Sequence, residues 1–210
     1  MKSREEITEC AREYFDVAGI YNVHDGKSTL ILGLETRPER NLDEFGKTDR
    51  GIELPGFAKY VQPGLDQVVK NLEKLGIAAS ILGKYGYAHR GEADFFNYKT
   101  AAIKAGLGKR GKNTLVINPV FGSRLRFAAL RLNTILETGP DESDEESPLC
   151  RGCSICIDEC PLSILKPYRL IDTAECLSNI VGDVAEVEDN RFVLCDICLQ
   201  RCPANSIGLD

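Results

Sequence analysis

Eight of the nine cysteines in this chain fall into two runs, and those runs constrain the fold more than any other feature. The first is Cys150-x2-Cys153-x2-Cys156-x3-Cys160-Pro161, and the second is Cys176-x18-Cys195-x2-Cys198-x3-Cys202-Pro203. Two-residue gaps let three sulfurs converge on one side of a short loop. The following proline fixes φ where the chain turns away. Zinc also favours C-x2-C pairs, but zinc ribbons combine two separated pairs rather than packing four thiols into one short run. A disulfide framework suits a small secreted chain, which this composition does not resemble. The spacing points instead to two cubane [4Fe–4S] clusters.

In the bacterial double-cluster pattern, three closely spaced cysteines hold one cluster and the fourth, before proline, crosses to the other. Cys150, Cys153 and Cys156 then hold one cluster with Cys202, while Cys176, Cys195 and Cys198 hold the other with Cys160. No ligand is left over or missing. The ninth cysteine, Cys10, follows Ile7 and precedes Ala11 and Tyr14 on an apolar helical stripe, so it is expected to pack in the core.

The remaining residues, 43% apolar and 28% charged, suit a globular chain with a core outside the cysteine region. A net charge of −6 argues against a broad phosphate-binding surface. No apolar run approaches the roughly 20 residues that span a bilayer, and the N-terminus shows no secretory core. Thiols kept for iron fit a reducing compartment, so the expectation is an oxygen-guarded cytoplasmic redox protein.

Along the chain, Ser3-x-x-Glu6 predicts a capping box opening a helix. Segments 20–23 and 29–34 flank Asp25-Gly26 as a predicted hairpin. Segment 37–57 reads as a long loop. A helix follows with Pro63 near its start, an apolar face of Leu65, Val68, Val69, Leu72 and Leu75, and Gly76 as terminator. Segment 77–82 reads as a buried strand, Asn97 as the cap of a short helix closed by Gly106, and segments 115–117 and 124–132 as strands. His24 and His89 have no second ligand at metal-like spacing and read as loop residues. Five acids in the six residues 141–146 mark a solvated boundary. The expected organisation is an α/β domain over 1–139, an acidic linker over 140–147, and a cluster domain over 148–210.

Three glycines crowd the segment Ala105-Gly106-Leu107-Gly108-Lys109-Arg110-Gly111-Lys112-Asn113-Thr114-Leu115-Val116-Ile117-Asn118-Pro119. The Walker spacing is absent, and Gly106-x-Gly108-x2-Gly111 follows a helix rather than the strand a dinucleotide fingerprint requires. On spacing alone the segment is a ligand cradle or a tight connector. With Phe121-Gly122-Ser123 behind it, it resembles the segment that precedes the same eight-cysteine module in epoxyqueuosine reductases, and more distantly in reductive dehalogenases. The resemblance covers roughly residues 50–205. It implies an α+β fold: a nitroreductase-like α/β domain holding a corrinoid, followed by a ferredoxin-like double [4Fe–4S] domain whose nearer cluster feeds electrons to cobalt. It places Gly106, Leu107, Gly108, Gly111, Lys112 and Asn113 against cobalamin.

The chain also departs from that pattern. Where epoxyqueuosine reductases carry an aspartate as proton donor, the sequence reads Gly56-Phe57-Ala58-Lys59-Tyr60-Val61-Gln62. Helix alignment puts Tyr60 at the donor position, as the dehalogenases do, and Arg124 matches the arginine of their Gly-Pro-Arg motif. A free phenol near pKa 10 is a weak acid, so Arg124 is expected to act as its cation. The helical-repeat extension that helps epoxyqueuosine reductases hold tRNA has no counterpart, since the sequence runs eight residues past Cys202. With the acidic charge, this argues against tRNA. The expected function is a cobalamin-dependent reductase of a small molecule, supplied by a low-potential ferredoxin or flavodoxin. The alternatives are a ferredoxin-type electron carrier, or a reductive activator of another protein's corrinoid.

Overall fold

The computed structural model describes residues 3–22, 27–48, 51–82, 96–136, 146–171, 176, 186–188, 191–193 and 195–209. His24, His89, the Asp25-Gly26 turn and residues 141–145 lie outside them. Helix α1 (Arg4–Arg12) opens with the predicted capping box: the Ser3 hydroxyl accepts from the Glu6 amide and Glu6 accepts from the Ser3 amide. It buries Ile7, Thr8 and Ala11, while Cys10 on the same helix is half-buried. β1 (Val17–Asn22) and β2 (Ser28–Glu35) pair antiparallel with Val17 opposite Gly33 and Asn22 opposite Ser28.

All eight residues of β2 are buried, so neither of its faces meets solvent. With β5 (Ala79–Ile81) and β8 (Leu125–Leu132) these strands form a sheet of order β1-β2-β8-β5. Helices α1 and α4 (Tyr98–Lys104) pack on β1. Helix α3 (Gln62–Lys74) packs on α1 and β5 through Leu65, Val68 and Leu72. Gly76 ends this helix at φ +80, the left-handed conformation in which glycine has no Cβ penalty. The strand expected over 77–82 is shorter and lies at the sheet edge, where Ile81 is 42% exposed.

Compactness does not follow the expected sequential division. One unit comprises Met1–Glu35, Ala58–Leu107 and Arg126–Asp144, and the other Thr36–Phe57, Gly108–Leu125 and Glu145–Asp210. Strand pairing explains the interleaving. The segment expected as a long loop contains β3 (Glu44–Thr48) and β4 (Gly51–Glu53), and β3 pairs with β12 (Arg191–Val193) beside β11 (Glu186–Glu188). The loop prediction failed because the partner strand stands far away in sequence, and no local pattern signals it. Helix α2 (Pro55–Tyr60) then opens on its proline. No helix among the described residues is long and apolar enough to cross a membrane.

The Tyr98 hydroxyl, on α4, donates to the Leu82 carbonyl just beyond β5. Burial holds the phenol neutral, moving it from 10.0 up to about 12. Because the folded form ionises later than the unfolded chain, this group's stabilisation is complete below pH 10 and is lost as pH rises through about 12. Tyr98→Phe is expected to cost about 1–3 kcal/mol at neutral pH by leaving the carbonyl unpaired. It should also flatten the loss of stability above pH 10, as denaturation midpoints across the alkaline range will show.

Candidate metal and cofactor centre

The glycine segment forms a tight hairpin of β6 (Lys109–Arg110) and β7 (Val116–Ile117), with Lys109 opposite Ile117. Its glycines are required by the hairpin itself. A Cβ on Gly108, at φ +156, would lie 2.6 Å from the Ile117 carbonyl oxygen, and one on Gly111 would lie 2.7 Å from Asn113 Oδ1. Gly106 closes α4 at φ +77, its amide donating to the Ile103 carbonyl, and Leu107 is buried.

At the tip, Lys112 and Asn113 face the cysteine loops. Lys112 Nζ donates to the carbonyls of Cys150 at 2.7 Å and Cys153 at 3.0 Å, and its backbone amide points at Cys150 Sγ at 3.5 Å. Asn113 Nδ2 donates to the Cys198 carbonyl at 3.2 Å, while its Oδ1 accepts from the Leu115 amide. Adjacent residues therefore strap both cysteine runs.

The thiols form two groups of four. Cys150, Cys153, Cys156 and Cys202 line one cavity together with Lys112, Asn113 and Ile117. Burial, then repulsion from Cys202, Cys150 and Cys153, pushes the Cys156 thiol up to about 11. Cys202 is raised by burial and by Cys150 and Cys153, against the lowering pull of the Ala204 and Asn205 amides. The second group surrounds Cys198, which burial and repulsion from Cys195, Cys156, Cys176 and Cys160 push up to about 11. Cys156 is the one member of the first group in that field, so the two groups approach each other at Cys156 and Cys198. Cys202 thus stands among the first three cysteines, and Cys160 lies beside the later three.

Four thiols gathered in one partly buried pocket, with Cys156 kept protonated by burial, are a donor set of the kind that soft metal centres take. Among the described residues no group of three or more His, Cys, Asp or Glu closes tightly enough to chelate one metal ion. A single tetrahedral zinc needs sulfurs about 2.3 Å from one point.

Two further residues flank the Lys112 strap, and no local pattern marks them. Glu146 Oε1 lies 3.5 Å from Lys112 Nζ. The Tyr168 hydroxyl, foremost, and Lys112 hold the Glu146 carboxyl below its ordinary range. Tyr168 sits at φ +66 and donates its amide to the Lys112 carbonyl at 3.1 Å. Glu146 belongs to the run read as a solvated linker, yet it pairs with the strap.

Behind Cys202 the chain is fixed from another side. Asn118 and Gly122 exchange backbone hydrogen bonds, and Asn118 Oδ1 accepts from the Val120 and Phe121 amides. A Cβ on Gly122, at φ +55, would overlap the Ala204 carbonyl. Arg124, only 6% exposed, donates from its guanidinium to the carbonyls of Asn205 and Ile207, the latter at 2.7 Å. The residue expected to assist Tyr60 thus holds the segment after Cys202. Tyr60 is half-buried at the end of α2, and the cation at its ring is Lys59, whose Nζ stands 4.9 Å from the centroid.

No family model matches this chain. It is 33% identical over 196 residues to the epoxyqueuosine reductase of Cyclobacterium marinum, covering 87% of this chain but 60% of that relative. Among solved structures it is similar to an epoxyqueuosine reductase bound to an epoxyqueuosine-modified tRNA-Tyr stem loop, with TM-score 0.66, 20% identity, and 96% and 65% of the two chains covered. It is also similar to a reductive dehalogenase whose structure suggests a mechanism for B12-dependent dehalogenation, with TM-score 0.63, 15% identity, and 91% and 30% covered. The expectation that argued tRNA away is corrected by the stem-loop complex: a relative of this fold engages tRNA. Net charge failed as a guide because it averages the whole surface, whereas a stem loop needs one local face.

The glycine turns give a paired test. Gly152, at φ +70, has nothing within 4 Å of an added Cβ, so Gly152→Ala carries backbone strain alone, about 1 kcal/mol. Gly122→Ala adds the clash with Ala204 and is expected to cost at least about 3 kcal/mol, with the Cys202 segment displaced. Denaturation of the two variants side by side measures the difference.

Proposed function

We propose that this chain, a member of the superfamily of epoxyqueuosine reductases and reductive dehalogenases, is a reductase with two [4Fe–4S] clusters and a corrinoid. The observation that carries it is the pair of four-cysteine groups strapped by Lys112 and Asn113. Cys150, Cys153, Cys156 and Cys202 would hold one cluster, and Cys176, Cys195, Cys198 and Cys160 the other. In this reading a nitroreductase-type α/β unit accompanies a ferredoxin-type unit. When bound, these groups supply one-electron storage and cobalt-centred reduction.

The corrinoid assignment rests on the superfamily, since Gly108 and Gly111 are explained by their own hairpin. In this reading the exposed Gly106, at φ +77 after α4, would offer backbone for a flat macrocycle to approach. Lys112 and Asn113 would support it indirectly, through the cysteine loops. We assign proton delivery to Tyr60, with the Lys59 ammonium stabilising the phenolate left behind. The substrate class we favour is a tRNA-borne nucleoside with a reducible C–O bond, following the relative's stem-loop complex. The chain spans 60% of the length of the Cyclobacterium relative, so its own reaction is inferred.

Anaerobically purified protein is expected to be brown, with about eight irons and eight sulfides per chain, and to turn added cob(II)alamin base-off as the two co-elute. Cys202→Ser should remove the cluster of Cys150, Cys153 and Cys156, not that of its sequence neighbours Cys195 and Cys198. Cys10→Ser should keep both. Stoichiometric zinc without sulfide would overturn the clusters, and failure to co-elute would overturn the corrinoid. Tyr60→Phe should abolish reduction of an epoxide-bearing stem loop at unchanged cofactor content. Full turnover in that variant would remove Tyr60 from the reaction.

A further inference from the structure

The two cysteine groups receive unequal straps, although adjacent residues provide them. The first receives an ammonium: Lys112 Nζ sits 2.7 Å and 3.0 Å from the carbonyls of two of its cysteines, with a side chain only 20% exposed. It also receives a backbone N–H directed at Cys150 Sγ. The second receives the neutral amide of Asn113 on the Cys198 carbonyl. Positive charge in a partly desolvated site stabilises the more negative, reduced state of a cluster, and hydrogen bonds to its sulfurs act in the same direction. We propose that Lys112 is a positioning and potential-setting residue that raises the reduction potential of the cluster at Cys150, Cys153, Cys156 and Cys202.

Glu146 is the counterweight. Its carboxylate lies 3.5 Å from Lys112 Nζ and is itself held by the Tyr168 hydroxyl, while the Tyr168 amide donates to the Lys112 carbonyl. At the first group the ammonium of Lys112 is therefore partly offset by this carboxylate. The inference rests on the cluster reading above and would fall with it.

The test is a dithionite titration of the anaerobic holoprotein followed by electron paramagnetic resonance. The first cluster's signal is identified as the one lost in Cys202→Ser. Lys112→Gln keeps a hydrogen-bond donor but removes the charge. It is expected to lower the first cluster's potential so that its oxidised-to-reduced ratio rises at least tenfold at a given potential, equivalent to about 59 mV for a one-electron couple. Lys112→Arg keeps the charge and should leave the potential at the parent's value, which separates charge from the loss of the lysine itself. An unchanged potential in Lys112→Gln, with iron and sulfide intact, overturns the proposal. If Lys112→Gln loses the first cluster, Lys112→Arg decides alone: a retained potential supports the proposal, and one lowered by that same tenfold change in ratio overturns it. A parent protein without iron and sulfide refutes the cluster reading itself.

Discussion

Burial of the cysteine runs is the constraint on which the second compact unit depends. Desolvation first, then neighbouring sulfurs, push the Cys156 and Cys198 thiols up to about 11, so both stay protonated where water cannot solvate a thiolate. A folded chain that gathers them must supply rigid supports from elsewhere. Segments 36–57 and 108–125 join the C-terminal residues in one compact unit and provide those supports. A metal centre held there would couple its binding to folding, because the unfolded chain offers no preformed site.

The supports are small and specific. Lys112 and Asn113, at the tip of one hairpin, hold carbonyls of both cysteine runs. Ile117 packs with Cys150 and Ala204, against which Cys202 and Ile207 rest. Gly122 admits the Ala204 carbonyl, and Arg124 grips Asn205 and Ile207. The glycine segment is thus first a scaffold for thiols. Whatever lies on its outer backbone shares its support with the cysteine loops, which would couple a cofactor there to the nearer cluster.

Features with local causes were legible in the sequence. The Ser3 capping box, the α3 face with its Gly76 terminator and the Asn97 cap all follow from spacing within a few residues or from one periodic motif. Long-range pairings were not. β3 was hidden because its partner, Arg191–Val193, stands far along the chain. Glu146 was hidden in an acidic run whose other members gave no reason to single it out. Arg124 was legible as important but not as a backbone clamp, because its acceptors are carbonyls, which carry no sequence signature. Spacing left the glycines open as a ligand cradle or a tight connector, and Gly108 and Gly111 do make room for Ile117 and Asn113 within their own hairpin.

In the function proposed above, two groups of four cysteines each hold one four-iron, four-sulfide cluster, with Cys160 and Cys202 exchanged between the runs. Native mass spectrometry of the anaerobic chain reads this out. The expected spectrum shows a mass increment of two four-iron, four-sulfide units on a chain with eight deprotonated thiols, falling to one unit in Cys160→Ser, with the surviving cluster bound by Cys150, Cys153, Cys156 and Cys202. A chain carrying zinc alone, or a Cys160→Ser protein whose surviving cluster is bound by Cys176, Cys195 and Cys198, would contradict it.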